Sequence, residues 1–255
     1  MRDLKAKLKE NENIYGTLVT EFYTPNIAKM MDVSGFDFFM VDCEHGYFDY
    51  TQVANIIAVG NGVGIPVLVR IPEVQRTCIL KYIEMGAAGL MIPGSETAEQ
   101  LKTVINYSKY APMGERGVSL SRPHSGYGVP NSKEYMESSN KRTMIIAQIE
   151  SRKGIENIDE ILSVDGVDAA LLGPNDLSQD MDMLGKFYED CFVEAIQKVV
   201  DSGKKNNKYV GIHASAIEYV QFWEKRGMNI LMWNSDITMM MAKAKEGIKQ
   251  LKSNK

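Results

Sequence analysis

Eight apolar segments of strand length recur along this chain, and a segment with helical spacing follows each of them. Most of these segments are apolar at successive positions, which is typical of parallel strands buried on both faces. We predict strands at residues 14–19, 36–41, 66–69, 89–92, 144–149, 167–172, 209–212 and 229–232. Several helical segments end in Gly, the usual residue just past a helix C-terminus. Eight strands alternating with eight helices in a chain of 255 residues predict an α/β fold, the (β/α)8 barrel.

A doubly wound open sheet is the competing architecture, but its Gly-rich dinucleotide fingerprint is absent from the sequence. We therefore predict a single (β/α)8 domain over residues 1–255. The segment 111–140 breaks the alternation and is rich in Gly, Ser and Pro, so we predict an irregular insertion there. Long irregular segments of this kind in compact domains are usually lids or contact arms.

Composition argues against several classes of function. The formal net charge is −4 and no long basic block occurs, which argues against nucleic-acid binding. No apolar run approaches the roughly 18 residues of a membrane span, and the polar N-terminus does not resemble a signal peptide. The three cysteines are far apart in sequence, as expected for reduced thiols in a cytoplasmic protein.

Chemically active residues gather at the carboxyl ends of the predicted strands, where barrel enzymes carry their active sites. In strand order these residues are Asp42, Glu44 and His45, then Arg70, then Gln148 and Glu150, then Asp176, His213 and Asp236. Each has a structural explanation when taken alone, such as an ion pair for Arg70 or a turn for Asp176. Their convergence on one end of the barrel favours a functional site.

Two carboxylates on neighbouring strand ends, Glu150 and Asp176, repel each other unless a proton or a cation lies between them. Oxygen ligands favour a hard divalent ion such as Mg²⁺ or Mn²⁺. Arg70 suits an anionic substrate oxygen, and an imidazole such as that of His45 suits general acid–base catalysis. Asp42 is a local candidate to orient the His45 ring. The set predicts chemistry through an enolate.

The chain resembles the HpcH/HpaI aldolases, the class II metal-dependent pyruvate aldolases of the phosphoenolpyruvate/pyruvate barrel superfamily. The matching blocks are GFDFFMVDCEHG, VLVRIP, GAAGLMIPGSETAEQ, GERGVS, AQIESRKG, GPNDLS and ILMWNSD, and together they extend over nearly the whole chain.

The resemblance implies a reversible cleavage of a 4-hydroxy-2-oxo acid to pyruvate and an aldehyde. The implied substrate is similar to 2,4-dihydroxyhept-2-enedioate or to 4-hydroxy-2-oxovalerate. It implies that Glu150 and Asp176 bind Mg²⁺, Mn²⁺ or Co²⁺, that Arg70 contacts the keto oxygen, and that His45 acts with a water on the aldol hydroxyl.

Further substrate contacts are implied for the GPND block and for two neighbouring strands; these residues are Gly173, Pro174, Asn175, Asp176, Gln148 and His213. The N–H groups of Asn175 and Asp176 are expected to receive the pyruvate carboxylate, since Pro174 has no N–H. The resemblance also implies a homo-hexamer, a trimer of dimers with exchanged C-terminal helices, in which the region 116–130 reaches a neighbouring site.

Four positions depart from the family pattern. Glu84 occupies the place of the aspartate that partners the catalytic histidine, which leaves open whether Glu84 or Asp42 orients His45. His213, Trp233 and Leu18 differ where the aldehyde is expected to bind, so the aldehyde is not specified. Two alternatives remain, an acyl-CoA or citryl lyase of the same superfamily and a non-catalytic barrel that binds a 2-oxo acid.

Overall fold

The computed structural model of the protein describes residues 2–253, in which eight parallel strands close into a barrel in sequential order. The strands are β1 (Ile14–Val19), β2 (Phe39–Asp42), β3 (Val67–Arg70), β4 (Gly89–Ile92), β5 (Met144–Ile149), β6 (Ala169–Leu172), β7 (Tyr209–Ala214) and β8 (Ile230–Ser235). Pairing of β1 with β8 closes the sheet. The predicted (β/α)8 barrel is confirmed, and the open-sheet alternative is excluded by this closure.

Twelve α-helices within residues 2–253 surround or flank the strands. They are α1 (Leu4–Lys9), α2 (Ile27–Val33), α3 (Tyr50–Val63), α4 (Arg76–Glu84), α5 (Ala98–Ser108), α6 (Ser132–Arg142), α7 (Arg152–Glu156), α8 (Ile158–Ser163), α9 (Pro174–Asp180), α10 (Asp190–Asn206), α11 (Ile217–Glu224) and α12 (Asp236–Ser253), with a short 3₁₀ helix at Pro123–Ser125. No helix within residues 2–253 is both long enough and apolar enough to cross a bilayer.

Some strands begin later than predicted, and others end later than predicted. β2 begins three residues later than expected, and the ring of Phe38 is fully buried just before it, packed where Gly16 of β1 leaves room. A Cβ on Gly16 would lie 2.3 Å from that ring. β7 and β8 extend further than predicted because they continue to pair with each other as far as Ala214 and Trp233.

The core has two layers, as the apolar runs predict. One cluster lies between the strands and the outer helices, and a smaller one fills the barrel interior. Leu4 and Leu8 of α1 join the interior cluster, so this helix closes the amino-terminal end of the barrel. The carboxyl end is left to the loops that carry the site.

The irregular insertion predicted over 111–140 is only partly irregular. Its last third belongs to α6, which begins after Asn131 because that side chain accepts hydrogen bonds from the N–H groups of Lys133 and Glu134. Asparagine at this position is a favoured helix N-cap. Because α6 is largely solvent-exposed, its sequence is polar and lacks the hydrophobic periodicity that would have predicted a helix.

Candidate active site

The carboxyl ends of β2, β3, β5 and β6 bring the predicted charged residues to one end of the barrel. Asp42 and Arg70 are register partners in the β2–β3 pairing. Glu150 directly follows β5, and Asp176 lies in the first turn of α9, just past β6. The parallel strands therefore deliver Asp42, Arg70, Glu150 and Asp176 to the same rim.

Arg70 is held by Asp42 in a buried ion pair. Its Nε donates to Asp42 Oδ1 at 2.8 Å and its Nη2 donates to Oδ2, with the two residues 7% and 1% exposed. Burial alone raises the pKa of Asp42, but the hydrogen bond and charge of Arg70 outweigh it, and the pKa lies below its ordinary value. Two parallel bonds fix the plane of the guanidinium, and the pair keeps Arg70 charged and oriented.

Glu44 was predicted to reach the rim with Asp42 and His45, but the sequence assigned it no role in the site. Its Oε2 lies 3.2 Å from Arg70 Nη1 and 3.9 Å from His45 Nε2. That oxygen is buried and has no hydrogen-bond partner within residues 2–253. Burial, Asp42 and Asp176 raise the pKa of Glu44 more than Arg70 and His45 lower it. The sequence feature that pointed to a role for Glu44 in the site was its position at a strand end among other titratable groups.

Glu150 is a half-buried carboxylate oriented by two donors. Its Oε1 accepts from the N–H of Gly94 at 2.6 Å, and its Oε2 accepts from Gln148 Nε2. Burial, together with the nearby charges of Glu44 and Asp176, raises the pKa of Glu150 above its ordinary value. Gln148 is 3% exposed, and its Oε1 has no partner in the described part of the chain.

Gly173, which precedes α9, leaves space for this arrangement. A Cβ at Gly173 would lie 2.9 Å from Glu150 Oε2 and 3.1 Å from Gln148 Nε2. Pro174 is buried, while Asn175 and Asp176 are exposed. The N–H groups in the first turn of a helix have no intrahelical acceptor, so those of Asn175 and Asp176 can bind an anionic group at this rim.

His45 and its expected partners are not joined within one chain. The side chain of His45 is 70% exposed at the rim, whereas Asp42 uses its oxygens on Arg70 and on the N–H groups of Glu44 and His45. Glu84 is the last residue of α4, which returns the chain to the amino-terminal end of the barrel. The expectation that Asp42 or Glu84 orients the His45 ring is therefore not met in this chain; Asp42 positions Arg70 instead.

His213 belongs to the interior side of the same rim. Its Nε2 lies 2.9 Å from the carbonyl oxygen of Asn234, which can only accept, so Nε2 carries the proton and Nδ1 is the acceptor. Burial lowers the pKa of His213 below its ordinary value, and Arg70 adds to this. Trp233 donates its indole N–H to the carbonyl of Ser215 at 2.9 Å.

Asp236 has a structural role at this end of the barrel. Its carboxylate accepts from the N–H groups of Thr20, Glu21 and Phe22 and from the Thr20 hydroxyl. It therefore ties the loop after β1 to the start of α12.

The balance of charge at the rim fits a divalent cation. Burial and the charge of Asp176 raise the pKa values of both Glu44 and Glu150, and Glu44 adds to the shift of Glu150. The positive charge that Glu44 and Glu150 share is Arg70, which is already paired with Asp42. Within residues 2–253 no three His, Cys, Asp or Glu side chains form a ligand set for a metal. Two carboxylates would leave the other coordination positions to water and substrate, as in open catalytic sites.

Comparison with known proteins gives a consistent set of relatives. The sequence model of the family described as "HpcH/HpaI aldolase/citrate lyase" matches residues 20–242. A 4-hydroxy-2-oxovalerate aldolase of Novosphingobium aromaticivorans is 36% identical, covering 80% of this chain and 78% of its own. A 5-keto-4-deoxy-D-glucarate aldolase of Klebsiella pneumoniae is 31% identical, covering 84% and 82%. The crystal structure of an HpcH/HpaI aldolase from Desulfitobacterium hafniense superposes with a TM-score of 0.95 at 33% identity, covering 99% and 97%.

Proposed function

Because the chain belongs to the HpcH/HpaI aldolase/citrate lyase family and is a class II aldolase of the pyruvate type, we propose that it cleaves 4-hydroxy-2-oxo acids reversibly to pyruvate and an aldehyde. The observation that carries the proposal is the placement of Glu150 and Asp176 beside a buried, fixed Arg70. Support for the substrate class comes from the relative named 4-hydroxy-2-oxovalerate aldolase.

Glu150 and Asp176 would hold a divalent ion, Mg²⁺, Mn²⁺ or Co²⁺. The fit is argued from the oxygen donors of Glu150 and Asp176 on neighbouring strand ends. Burial, Glu44 and Asp176 all disfavour the charged form of Glu150, and a cation beside it would offset this. When bound, the ion supplies Lewis-acid polarisation of the 2-oxo acid. Gln148 and the N–H of Gly94 keep the Glu150 carboxylate in one orientation.

The pyruvate half of the substrate is bound by Arg70 and by the first turn of α9. The Arg70 guanidinium stabilises the negative charge that develops on the keto oxygen during cleavage, because Asp42 holds it in place beforehand. The N–H groups of Asn175 and Asp176 receive the substrate carboxylate, and Gly173 keeps the approach open.

His45 moves the proton of the aldol hydroxyl. In the cleavage direction it accepts the proton from the C4 hydroxyl, directly or through a water, and the C3–C4 bond breaks to release the aldehyde. The electron pair of that bond passes to the pyruvate enolate, which is then protonated at C3. Glu44, 3.9 Å from His45 Nε2, lies where a carboxylate stabilises the imidazolium.

Pyruvate release from a 4-hydroxy-2-oxo acid tests the proposal. We expect release from the protein supplied with Mg²⁺ or Mn²⁺, loss after EDTA treatment, and recovery when the ion is returned. Glu150→Gln and Asp176→Asn should abolish release, whereas Glu156→Gln, a change at an exposed position of α7, should not. Full activity in EDTA, or in either site variant, would contradict the proposal.

The two alternatives are separated in the same experiment. Cleavage of malyl-CoA faster than of the hydroxy-oxo acid would favour the acyl-CoA lyase. Tight oxalate binding with no turnover across an aldehyde panel would favour a non-catalytic barrel that binds a 2-oxo acid.

We also infer a homo-hexamer with exchanged C-terminal helices, as the family resemblance implies. Support comes from α12, whose apolar side chains Met240, Met241, Ile248 and Leu251 are exposed within the single chain. Light scattering should give six chains, and truncation after residue 236 should lower that number.

A further inference from the structure

A cavity lies at the amino-terminal end of the barrel, opposite the rim that carries Glu150. It has a volume of about 290 Å³ and is bounded by α1, the turn between α4 and β4, the 3₁₀ helix and α6. Polar and charged side chains make up much of its wall. They include Arg2, Lys5, Arg116, His124, Ser139 and Arg142, and among the described residues the one carboxylate in this lining is Asp3.

Arg116 is the residue that marks this cavity as a binding site. It is only 5% exposed, yet its Nε and Nη2 have no hydrogen-bond partner within residues 2–253. Its guanidinium is stacked 4.4 Å from the ring centre of Tyr110, and its backbone N–H donates to the carbonyl of Lys109. A buried guanidinium with unpaired N–H groups is costly, so these two donors favour an acceptor in the cavity.

The charges around Arg116 are not balanced by the chain. Lys5 pairs with Asp168 at 2.7 Å, but within the described residues Arg116, Arg142 and Lys109 make no ion pair. Glu84 is near enough to influence the pKa of Arg116, but it forms no ion pair there. The cavity wall is therefore positive, with its most buried cation unpaired.

Lys109 lies behind this wall. Its Nζ is buried and donates only to carbonyl oxygens, those of Asn140 and Thr143. Burial, with repulsion from Lys5 and Arg116, lowers the pKa of Lys109 to about 7. A negative ligand nearby would stabilise the charged form of this lysine.

We propose that this cavity binds a small oxyanion, with Arg116 Nε and Nη2 donating to two of its oxygens and Arg142 supplying a second charge. The fork of Nε and Nη2 matches a phosphate or carboxylate group. The volume suits a phosphate or a short dicarboxylate together with water. Within one chain, the cavity lies at the end of the barrel opposite Glu150 and Asp176.

Calorimetric titration with sulfate and with succinate tests the site and distinguishes tetrahedral anions from dicarboxylates. Sulfate keeps its double charge near neutral pH, and EDTA-treated full-length protein prevents binding through a metal at the other rim. We expect one saturable site per chain for at least one anion, with binding at least tenfold weaker in Arg116→Gln and partly retained in Arg116→Lys. Arg226→Gln, a change in an exposed arginine of the α11–β8 loop, should bind as the unmodified protein does.

Arg142→Gln provides a second variant, since Arg142 is exposed and its loss should leave the fold intact while weakening binding several-fold. Equal affinity in Arg116→Gln, Arg142→Gln and the unmodified protein would overturn the proposal. Absence of binding to both anions in the millimolar range would also overturn it. If neither anion bound and Arg116→Gln changed the oligomeric mass, the proposal would be replaced by another acceptor for the Arg116 guanidinium, a carboxylate of a second copy of the chain.

Discussion

Asp42→Asn is the change whose consequences the structure defines most closely. Asp42 is 1% exposed and accepts four hydrogen bonds, two from Arg70 and one each from the N–H groups of Glu44 and His45. Asparagine has nearly the same shape, so no cavity forms. It removes the negative charge and turns one acceptor into a donor that faces Arg70 Nη2.

The cost follows from the burial of the pair. Hydrogen bonds to charged groups contribute about 1.5–3 kcal/mol each, and breaking a buried ion pair costs about 3–5 kcal/mol. The asparagine oxygen, at the position of Oδ1, retains the contacts with Arg70 Nε and with the two turn N–H groups. We therefore expect a loss of about 2–4 kcal/mol in the free energy of unfolding. A guanidinium displaced by the same change should lower kcat/KM at least tenfold, or about 1.4 kcal/mol in transition-state stabilisation.

Urea unfolding at one protein concentration, with EDTA present, measures the stability term, and pyruvate release measures kcat/KM. Asp182→Asn is the matched control, because Asp182 forms an exposed ion pair with Arg152 and should be close to neutral. An Asp42→Asn variant as stable and as active as that control would refute the reasoning.

Unfolding measured over a range of pH tests the direction in which the stability difference changes. The folded-state pKa of Asp42 lies below its ordinary value, so its contribution is present above the unfolded pKa and lost as pH falls through the folded one. The stability difference between the unmodified protein and Asp42→Asn should therefore shrink in acid.

Three further predictions concern the site and the thiols. Glu150→Gln should abolish activity and raise the unfolding free energy of the EDTA-treated protein at pH 7 by about 0.5–2 kcal/mol. Because the pKa of Glu150 is raised in the folded protein, this gain in stability should fade as the pH falls below that pKa. A loss of stability at pH 7 would contradict the prediction. Gly173→Ala should cut kcat/KM at least tenfold (about 1.4 kcal/mol) with little change in Tm, because its Cβ would lie 2.9 Å from Glu150 Oε2 and 3.1 Å from Gln148 Nε2; steady-state kinetics and a melting curve check this, and unchanged kinetics would contradict it. Cys191 is exposed and should react with a thiol reagent at pH 8 in the native protein, whereas burial raises the pKa of Cys43 to about 12, so Cys43 should react only after unfolding; fast labelling of Cys43 in the folded protein would be inconsistent with that burial.

Strand periodicity determined the barrel and the end at which its chemistry lies. Because parallel strands all deliver their carboxyl ends to one rim, the positions of Asp42, Arg70, Glu150 and Asp176 after apolar runs were enough to predict that they gather. The same reasoning found the GPND turn after β6. The exposed helix α6 escaped it, because a polar segment carries little hydrophobic periodicity.

Tertiary structure alone decided which of these groups touch. The β2–β3 register sets Asp42 opposite Arg70, and both carboxylate oxygens accept from the guanidinium. Asp42 contacts only the backbone N–H of His45, and not its ring. The return of α4 carries Glu84 to the amino-terminal end. The chain beyond α5 buries Arg116 there, with no hydrogen-bond partner for Nε or Nη2 among residues 2–253. Periodicity along a chain specifies the face and the end of an element, whereas side-chain pairing depends on register, rotamer and burial across elements that are distant in sequence.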